Sequence, residues 1–205
     1  MASPEINLLH KSREMFMRSG VKSMTMDDIA RELGMSKKTI YQFVGNKAEL
    51  VNKVLNEYLS EERKQVETIL SKSANAVDGM INMVEYLLNV LHDFNPASLN
   101  DLQKYYPEAW KIYDEYRYQY VVTRIRENLD TGVKQGVYRA DMDADIIARI
   151  YVRGIDMILD QQMFPQKRYS FFNLYKEFLK YHLRGIVSPK GLKILEQHSV
   201  FKKQL

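Results

Sequence analysis

Apolar residues in this chain recur at spacings of three and four, which place them along one side of an α-helix. No strand-like alternation of apolar and polar residues persists between turn signals, and the 205 residues include only nine glycines and five prolines. Helix-breaking residues after residue 90 stand at Asn95-Pro96, Pro107, Gly132 and Gly136, Pro165 and Ser188-Pro189. The pattern predicts an all-α protein.

The same periodicity predicts helices at 5–19, 47–71, 77–91, 99–106, 108–130, 144–162, 170–185 and 191–198, with three short elements between the first two. Asn46 is the predicted N-cap of the long helix, and Glu49 follows three residues later, as in a capping box. We expect residues 1–46 to form a small N-terminal bundle and residues 47–205 to form a larger helical domain.

The chain contains no cysteine, which excludes disulfide bonds, thiolate metal sites and cysteine nucleophiles. Its four histidines, His10, His92, His182 and His198, are scattered, and no phosphate-loop, nucleophile-elbow or zinc-protease motif occurs. We therefore expect no metal, no cofactor and no catalytic centre. No apolar run approaches about 18 residues and the first residues lack a signal pattern, so a cytoplasmic protein without membrane contact is expected.

Residues 25–36 carry the capping and turn residues of two short helices joined by a tight turn. Thr25 can cap the first helix, with Asp28 placed to bond back to the cap, and Ser36 can cap the second. Gly34 stands where the chain must turn sharply, which a positive φ angle allows most cheaply. The apolar residues that would hold the pair together are Ile29, Ala30, Leu33, Ile40 and Phe43. The arrangement predicts a three-helix bundle with a helix-turn-helix, whose second helix is free to enter a DNA major groove.

The second short helix has an unusual charge distribution. Residues 36–47 contain Lys37, Lys38 and Lys47 and no acid, although the net charge of the whole chain is only +4. Lys37 and Lys38 fall in the first turn, where the helix dipole disfavours cations. We expect that neither ammonium group has a carboxylate partner within the subunit and that a phosphate backbone compensates them. Polar side chains beside them that can bond phosphates or base edges are Ser36, Thr39, Tyr41 and Gln42.

The stretch from Thr25 to Leu50 resembles the DNA-binding signature of TetR-family transcriptional regulators. The resemblance covers about residues 5–55, since Met15-Phe16 and Gly20 match the end of that family's first helix. It extends through the turn into the Tyr41-x-Phe43 and Lys47-x-x-Leu50 features. One departure is Val44-Gly45, where the family usually carries a polar pair. The rest of the chain is similar to the family only in its helix content and length.

The resemblance implies an Ω-shaped homodimer in which each subunit places residues 26–44 in a major groove. By analogy, Thr25, Tyr41 and Lys47 would contact phosphates. The residues that would lie against bases or their adjacent phosphates are Lys37, Lys38, Thr39 and Gln42. A ligand in the larger domain would tilt the DNA-binding heads apart and release the operator.

Two helices near the C-terminal end have apolar arcs wider than one core contact requires, and the resemblance places a four-helix dimer bundle there. The residues we assign to this interface are Ile147, Tyr151, Gly154, Ile158, Phe171 and Phe178. A glycine inside a helix costs about 1 kcal/mol, which close approach of a second helix could offset. The alternative is a monomer core that tolerates the glycine.

An aromatic-rich segment between residues 105 and 120 is the candidate effector pocket. Its residues are Tyr106, Trp110, Tyr113, Tyr116 and Tyr120, whose rings could surround an apolar or aromatic ligand while their polar atoms orient it. The alternative is an ordinary aromatic core and surface.

The sequence therefore predicts a ligand-responsive DNA-binding regulator, a repressor that binds a near-palindromic operator as a homodimer and is not an enzyme. One alternative is an all-α ligand carrier or enzyme that uses a tyrosine-lined cavity. Another is a helical interaction module whose basic hairpin meets an acidic protein.

Overall fold

The computed structural model describes residues 3–90, 94–165 and 167–198. The helices, in chain order, are α1 Pro4–Ser19, α2 Met26–Leu33, α3 Lys37–Ile40, α4 Lys47–Lys72, α5 Ala76–Val90, α6 Ala97–Tyr105, α7 Pro107–Glu115, α8 Val122–Lys134, α9 Ala144–Leu159, α10 Phe171–Ile186 and α11 Pro189–Leu195. Within the described residues, β-structure is limited to an isolated antiparallel bridge between Tyr138 and Val187. The predicted all-α class is confirmed.

Helix boundaries agree closely with the periodicity where local stop signals are strong. The predicted helices 5–19 and 47–71 differ from α1 and α4 by one residue at one end, and the predicted helix 170–185 differs from α10 by one residue at each end. Residue 91 of the predicted helix 77–91, and His92, lie outside the described residues. No helix among the described residues is both long enough and apolar enough to cross a membrane.

The predicted helix 108–130 differs most from the structure. A π-helical segment, Tyr116–Val121, separates α7 from α8, and α8 continues to Lys134. Gly132 was expected to end the helix, and that expectation is wrong. It lies inside α8, where a side chain would overlap the ring of Tyr138. The helix ends instead before Gly136, which has a φ angle of 69°.

The chain divides into two compact units. The N-terminal unit comprises the described parts of Met1–Gln65 and Asp93–Tyr116, and the C-terminal unit those of Val66–His92 and Arg117–Leu205. This division cuts α4 and differs from the predicted boundary at residue 46, because the first half of α4 buries Leu50, Val51 and Val54 within the N-terminal unit. The boundary at residue 46 was meant to separate the DNA-binding residues from the rest of the chain, not two compact units, and it stays a prediction.

The N-terminal unit has an apolar core to which α6 is attached by hydrogen bonds. Ser98 Oγ donates to the Phe16 carbonyl at 2.7 Å, and the Asn95 amide donates to the Met17 carbonyl at 2.8 Å. Side chains buried in this unit include Leu8, Met15, Phe16, Ile29, Ile40 and Leu50. The helices of the sequence-predicted bundle therefore share their core with α4 and a later segment of the chain.

The C-terminal unit has a larger core, supplied by α5, α8, α9 and α10, with a polar junction inside it. The Tyr138 hydroxyl lies 3.0 Å from both the Ala76 carbonyl oxygen and Asn128 Oδ1. Asn128 Nδ2 donates to the same carbonyl at 2.9 Å. Burial raises the pKa of Tyr138, so its hydroxyl stays protonated and remains a donor. The junction ties the first turn of α5 to α8.

Candidate nucleic-acid interface

The start and the end of α2 are determined by residues identified in the sequence. The Asp28 amide donates to Thr25 Oγ1 at 3.2 Å, and the Thr25 amide donates to Asp28 Oδ2 at 3.0 Å, so the predicted capping box is present. Hydrogen bonds from Thr25 lower the pKa of the Asp28 carboxyl. Gly34 adopts the left-handed conformation with φ 62°, and the Met35 amide donates to the Ala30 carbonyl at 2.9 Å. The chain therefore leaves α2 through a short turn towards α3.

Helix α3 is short, capped, and anchored by apolar residues on one side. Ser36 Oγ accepts from the Thr39 amide at 3.0 Å, as expected of an N-cap. Ile40 and Val44 are buried, at 0% and 2% exposure. Helical backbone bonds continue past the last residue of α3, since the Val44 amide donates to the Ile40 carbonyl at 3.2 Å. The opposite side carries Lys37, Lys38, Tyr41 and Gln42, which are all exposed.

The expectation that both lysines of α3 lack a carboxylate partner is wrong for Lys37. Its Nζ lies 2.8 Å from Asp27 Oδ1, and this hydrogen bond raises the pKa of Lys37. Asp27 belongs to α2, and the tight turn at Gly34 brings the two helices close enough for the pair. Both side chains are largely exposed, so the pair is screened by salt and can exchange for another anion. Lys38 has no ion pair within the described part of the chain.

Lys47 has a structural role that the sequence did not indicate. Its ammonium group donates to the Val21 carbonyl at 2.7 Å and to the Lys22 carbonyl at 3.3 Å. It also lies 5.8 Å from the centroid of the Tyr106 ring. Two of the three N–H groups of this ammonium are therefore used to hold the α1–α2 loop against the start of α4. Asn46 caps α4 as predicted, but the Glu49 carboxylate accepts from the Gly45 amide.

The eight residues assigned to DNA binding all lie in the N-terminal unit, at the start of α2, along α3 and at the first residue of α4. Six of them are exposed, namely Thr25, Ser36, Lys37, Lys38, Tyr41 and Gln42. Thr39 and Lys47 are partly buried. The hydroxyls of Ser36 and Thr39 lie 2.8 Å apart. The exposed set combines two cations with hydroxyl and amide groups, which are the groups that bind phosphates and base edges.

The aromatic residues assigned to an effector pocket divide between the two units. Tyr106, Trp110, Tyr113 and Tyr116 belong to the N-terminal unit, where the Trp110 and Tyr113 rings are 5.7 Å apart. Tyr120 belongs to the C-terminal unit, where its hydroxyl donates to Glu67 Oε1 at 2.9 Å. A polar cleft of about 250 Å³ in the C-terminal unit is lined by Glu67, Arg124 and Asn128 among others, and none of the five aromatic residues lines it. The pocket stays a prediction.

The residues assigned to a dimer interface are partly used inside the subunit. Tyr151 and Ile158 are 2% and 5% exposed and belong to the core of the C-terminal unit, so the assignment is wrong for these two. A side chain at Gly154 would overlap the Phe178 ring of the same subunit. The close approach that we expected at Gly154 is therefore the contact between α9 and α10. Ile147 and Phe171 are partly buried against the same core, and their role in a dimer stays a prediction.

Sequence reasoning missed the side of α9 that is left exposed. Ile146, Ile150 and Met157 are 54%, 55% and 45% exposed, and their spacing of four and seven places them on one side of the helix. On α10, Tyr181 is 81% exposed. The apolar spacing signal was present in the sequence, but it could not indicate which of two apolar sides packs inward.

Comparison with known proteins associates the segment that contains α2 and α3 with a family of regulatory proteins. The model of the bacterial regulatory proteins of the tetR family matches residues 8–54. The uncharacterized HTH-type transcriptional regulator YvaF of Bacillus subtilis strain 168 is 28% identical over 150 residues, which cover 71% of this chain and 75% of YvaF. The HTH-type transcriptional repressor KstR2 of Mycolicibacterium smegmatis is 24% identical over 197 residues, which cover 93% of this chain and 94% of KstR2.

The fold is also similar to that of solved structures. A transcriptional regulator from Saccharomonospora viridis, solved in complex with choline, superposes with a TM-score of 0.75 at 23% identity over 90% of this chain and 97% of that chain. The family match spans the capped helix α2, the turn at Gly34 and the exposed polar side of α3. Residues 8–54 therefore form a domain of the tetR family of bacterial regulatory proteins.

Proposed function

We propose that this chain is a ligand-responsive repressor that binds a near-palindromic operator in duplex DNA as a homodimer. The observation that carries the proposal is the geometry of α3, whose apolar side is anchored by Ile40 and Val44 while its polar side is exposed. A helix held in this way can enter a major groove without unfolding any part of its own subunit. The relative KstR2 is named a repressor, which supports repression rather than activation. Such a regulator would act in the cytoplasm.

The proposed DNA contacts follow from which groups are free on α3. Lys38 has an exposed ammonium group, whereas Lys37 must first exchange its partner Asp27 for a phosphate. Tyr41 and Gln42, at the end of α3, would contact phosphate and base edges respectively. Thr25 would contact a phosphate at the start of α2, and Lys47 would do so with its remaining N–H group. Ser36 and Thr39 would contribute hydroxyl groups at the start of α3.

The proposed dimer interface lies on the exposed apolar side of α9 and on α10. Ile146, Ile150 and Met157 form an exposed apolar stripe, and its contact with water costs free energy. Exposed apolar patches of this kind commonly mark protein interfaces. Tyr181 adds a large exposed ring on α10. A two-fold dimer presents two α3 helices, which predicts half-sites about 34–36 Å apart or a multiple of that distance.

The effector is proposed to be apolar or aromatic and to bind in the N-terminal unit, beside Tyr106, Trp110, Tyr113 and Tyr116. Trp110 and Tyr113 lie side by side, and Tyr116 is buried. Choline in the Saccharomonospora viridis regulator is a small molecule held by a chain of the same fold, which supports responsiveness to a ligand.

The proposal is tested by selecting the DNA fragments that the protein binds from the source genome and measuring their affinity by fluorescence anisotropy. We expect a near-palindromic consensus and a logarithm of affinity that falls steeply and linearly with the logarithm of salt concentration. Lys38→Ala should lower affinity for all sequences and reduce the salt slope by about one.

The matched control is Lys193→Ala, which removes one exposed lysine from α11 in the C-terminal unit and should leave affinity unchanged. A salt slope near zero, or equal losses in the two variants, would contradict the assignment of α3. Adding apolar and aromatic compounds to the bound complex then tests the effector, and release of DNA by none of a broad panel would contradict responsiveness to that class.

A further inference from the structure

Three potential metal ligands meet in the N-terminal unit, outside the residues assigned to DNA binding. His10 lies on α1, and Glu57 and Glu61 lie four residues apart on α4, so the two carboxylates share one side of that helix. One ligand atom from each of the three residues lies within 4.8 Å of the other two. All three residues are partly buried. Flexible side chains at this separation can close around one ion.

From this cluster we propose that His10, Glu57 and Glu61 bind a divalent transition-metal ion of the Zn²⁺ type. One imidazole nitrogen and two carboxylate oxygens are a ligand set that Zn²⁺ and similar ions accept, with a further position left for water. Hard cations such as Mg²⁺ prefer oxygen ligands throughout, so the imidazole favours the transition metal. The two carboxylates balance the charge of the ion.

Hydrogen bonds already orient two of the three ligands. Arg13 Nη1 donates to Glu61 Oε2 at 2.5 Å, while Glu61 Oε1 lies 3.1 Å from His10 Nε2. The metal would replace the bond between His10 and Glu61, and Arg13 would stay on the other oxygen of the same carboxylate. A ligating carboxylate held by an outer donor is a common arrangement in metal sites.

Glu57 distinguishes this cluster from an ordinary ion pair. Its carboxylate makes no ion pair or side-chain hydrogen bond in the described ranges of the chain. Next to it on α4, Lys53 is engaged by Glu5 at 3.1 Å and by Glu49 at 3.7 Å. The cluster of His10, Arg13, Glu57 and Glu61 therefore contains two carboxyl groups and one guanidinium, an excess of acidic groups that favours a cation.

The other described histidines provide a comparison within the molecule. His198 Nε2 lies 2.8 Å from Asp78 Oδ1, but no third ligand joins this pair among the described residues. His182 is buried against the rings of Tyr151 and Phe178. Of the described histidines, His10 is thus the one that meets two carboxylates.

A bound ion would join α1 to the middle of α4. Both segments belong to the N-terminal unit, so metal binding would stabilise that unit, because the three ligands come together only in the folded chain. This inference is independent of the proposed operator and effector.

The experiment is a calorimetric titration of ZnCl₂ into tag-free full-length protein in metal-free buffer at pH 7.5. We expect saturation at one ion per chain, a higher melting temperature with Zn²⁺, and a visible Co²⁺ absorption spectrum when Co²⁺ replaces Zn²⁺. His10→Gln and Glu57→Gln should each weaken binding by about tenfold or more and abolish the shift in melting temperature.

The matched control is His198→Gln, which removes a histidine that also pairs with a carboxylate and should leave Zn²⁺ binding unchanged. Glu57→Gln removes no described hydrogen bond, so it keeps the test valid if His10→Gln fails to fold. Saturation only at millimolar Zn²⁺, or equal affinity in the wild type and Glu57→Gln, would overturn the proposal.

Discussion

The helix pairs α2–α3 and α9–α10 are stabilised in different ways. The pair α2–α3 is short, and its ends are determined by Thr25, Gly34 and Ser36, each of which acts on backbone within four residues of itself. Helices α9 and α10 have 16 residues each and pack through large rings. Tyr151 and Tyr175 are buried, with their hydroxyls 3.0 Å apart.

This difference separates local from tertiary stabilisation. Caps and a left-handed glycine stabilise a helix end through hydrogen bonds and backbone conformation. Each such contribution to the free energy of unfolding is small and depends little on the rest of the fold. Burial of aromatic rings contributes several times more per residue, but it depends on which partner the ring meets. Substitutions in the two helix pairs should therefore differ in size and in their dependence on pH.

The largest effect is expected for Tyr151→Ala in α9. This change removes a fully buried ring and leaves a cavity, which typically costs about 3–5 kcal/mol in the free energy of unfolding. Tyr151→Phe, which removes only the bond to Tyr175, should cost about 1 kcal/mol. Urea unfolding followed by far-UV circular dichroism, at several protein concentrations, measures both.

Ile150→Ser on the exposed side of the same helix is the matched control. It should change the stability of the subunit by less than about 0.5 kcal/mol and weaken self-association, as measured by sedimentation velocity. If Tyr151→Ala instead dissociated the proposed homodimer and left the subunit as stable as the wild type, Tyr151 would belong to the interface after all.

His182 makes the C-terminal unit sensitive to acid. Burial lowers the pKa of His182 to about 4, and its Nε2 has no hydrogen-bond partner among the described residues. Between pH 6.5 and 4 the unfolded chain binds more protons at this site than the folded one, so stability is full above pH 6.5 and falls as the pH drops. We expect a loss of about 3 kcal/mol by pH 4, measured as the difference between wild type and His182→Leu.

Glu62 gives the N-terminal unit the opposite sensitivity. Burial raises the pKa of this carboxyl from 4.5 to about 7, although hydrogen bonds to Tyr58 and Tyr116 act against the shift. The folded chain binds the extra proton, so stability is full below pH 4.5 and decreases as the pH rises towards 7. Relative to the wild type, Glu62→Gln should therefore gain about 3 kcal/mol between pH 4.5 and 8. Melting curves at each pH measure this gain, and the same pH slope in both proteins would contradict the assignment.

The same contrast explains how much the sequence could predict. Thr25, Gly34, Ser36 and Asn46 were found because each acts on the backbone next to it, and the resemblance extended these signals to a DNA-binding function. The pairing of Lys37 with Asp27 was missed because residues ten apart meet only through the exact geometry of the turn.

The sequence patterns could not predict which side chains pack together in the folded chain, and the reason is physical. Helix α9 is apolar on two sides, so its periodicity predicts a helix without deciding whether Tyr151 or Ile150 packs inward. Gly132 was taken for a helix end because the position of the Tyr138 ring depends on the fold. His10 and Glu57 lie on different helices, are 47 residues apart in sequence and share no local motif.

The smallest expected effect concerns the cap of α3. Ser36→Ala removes the acceptor of the Thr39 amide and should cost about 1 kcal/mol in the free energy of unfolding, while Ser36→Gly should cost only a few tenths. Chemical denaturation of the three proteins under one condition measures the difference. A loss as large as that expected of Tyr151→Ala would mean that α3 depends on its cap more than on the burial of Ile40. Local signals would then determine the stability of the helix-turn-helix as well as its boundaries.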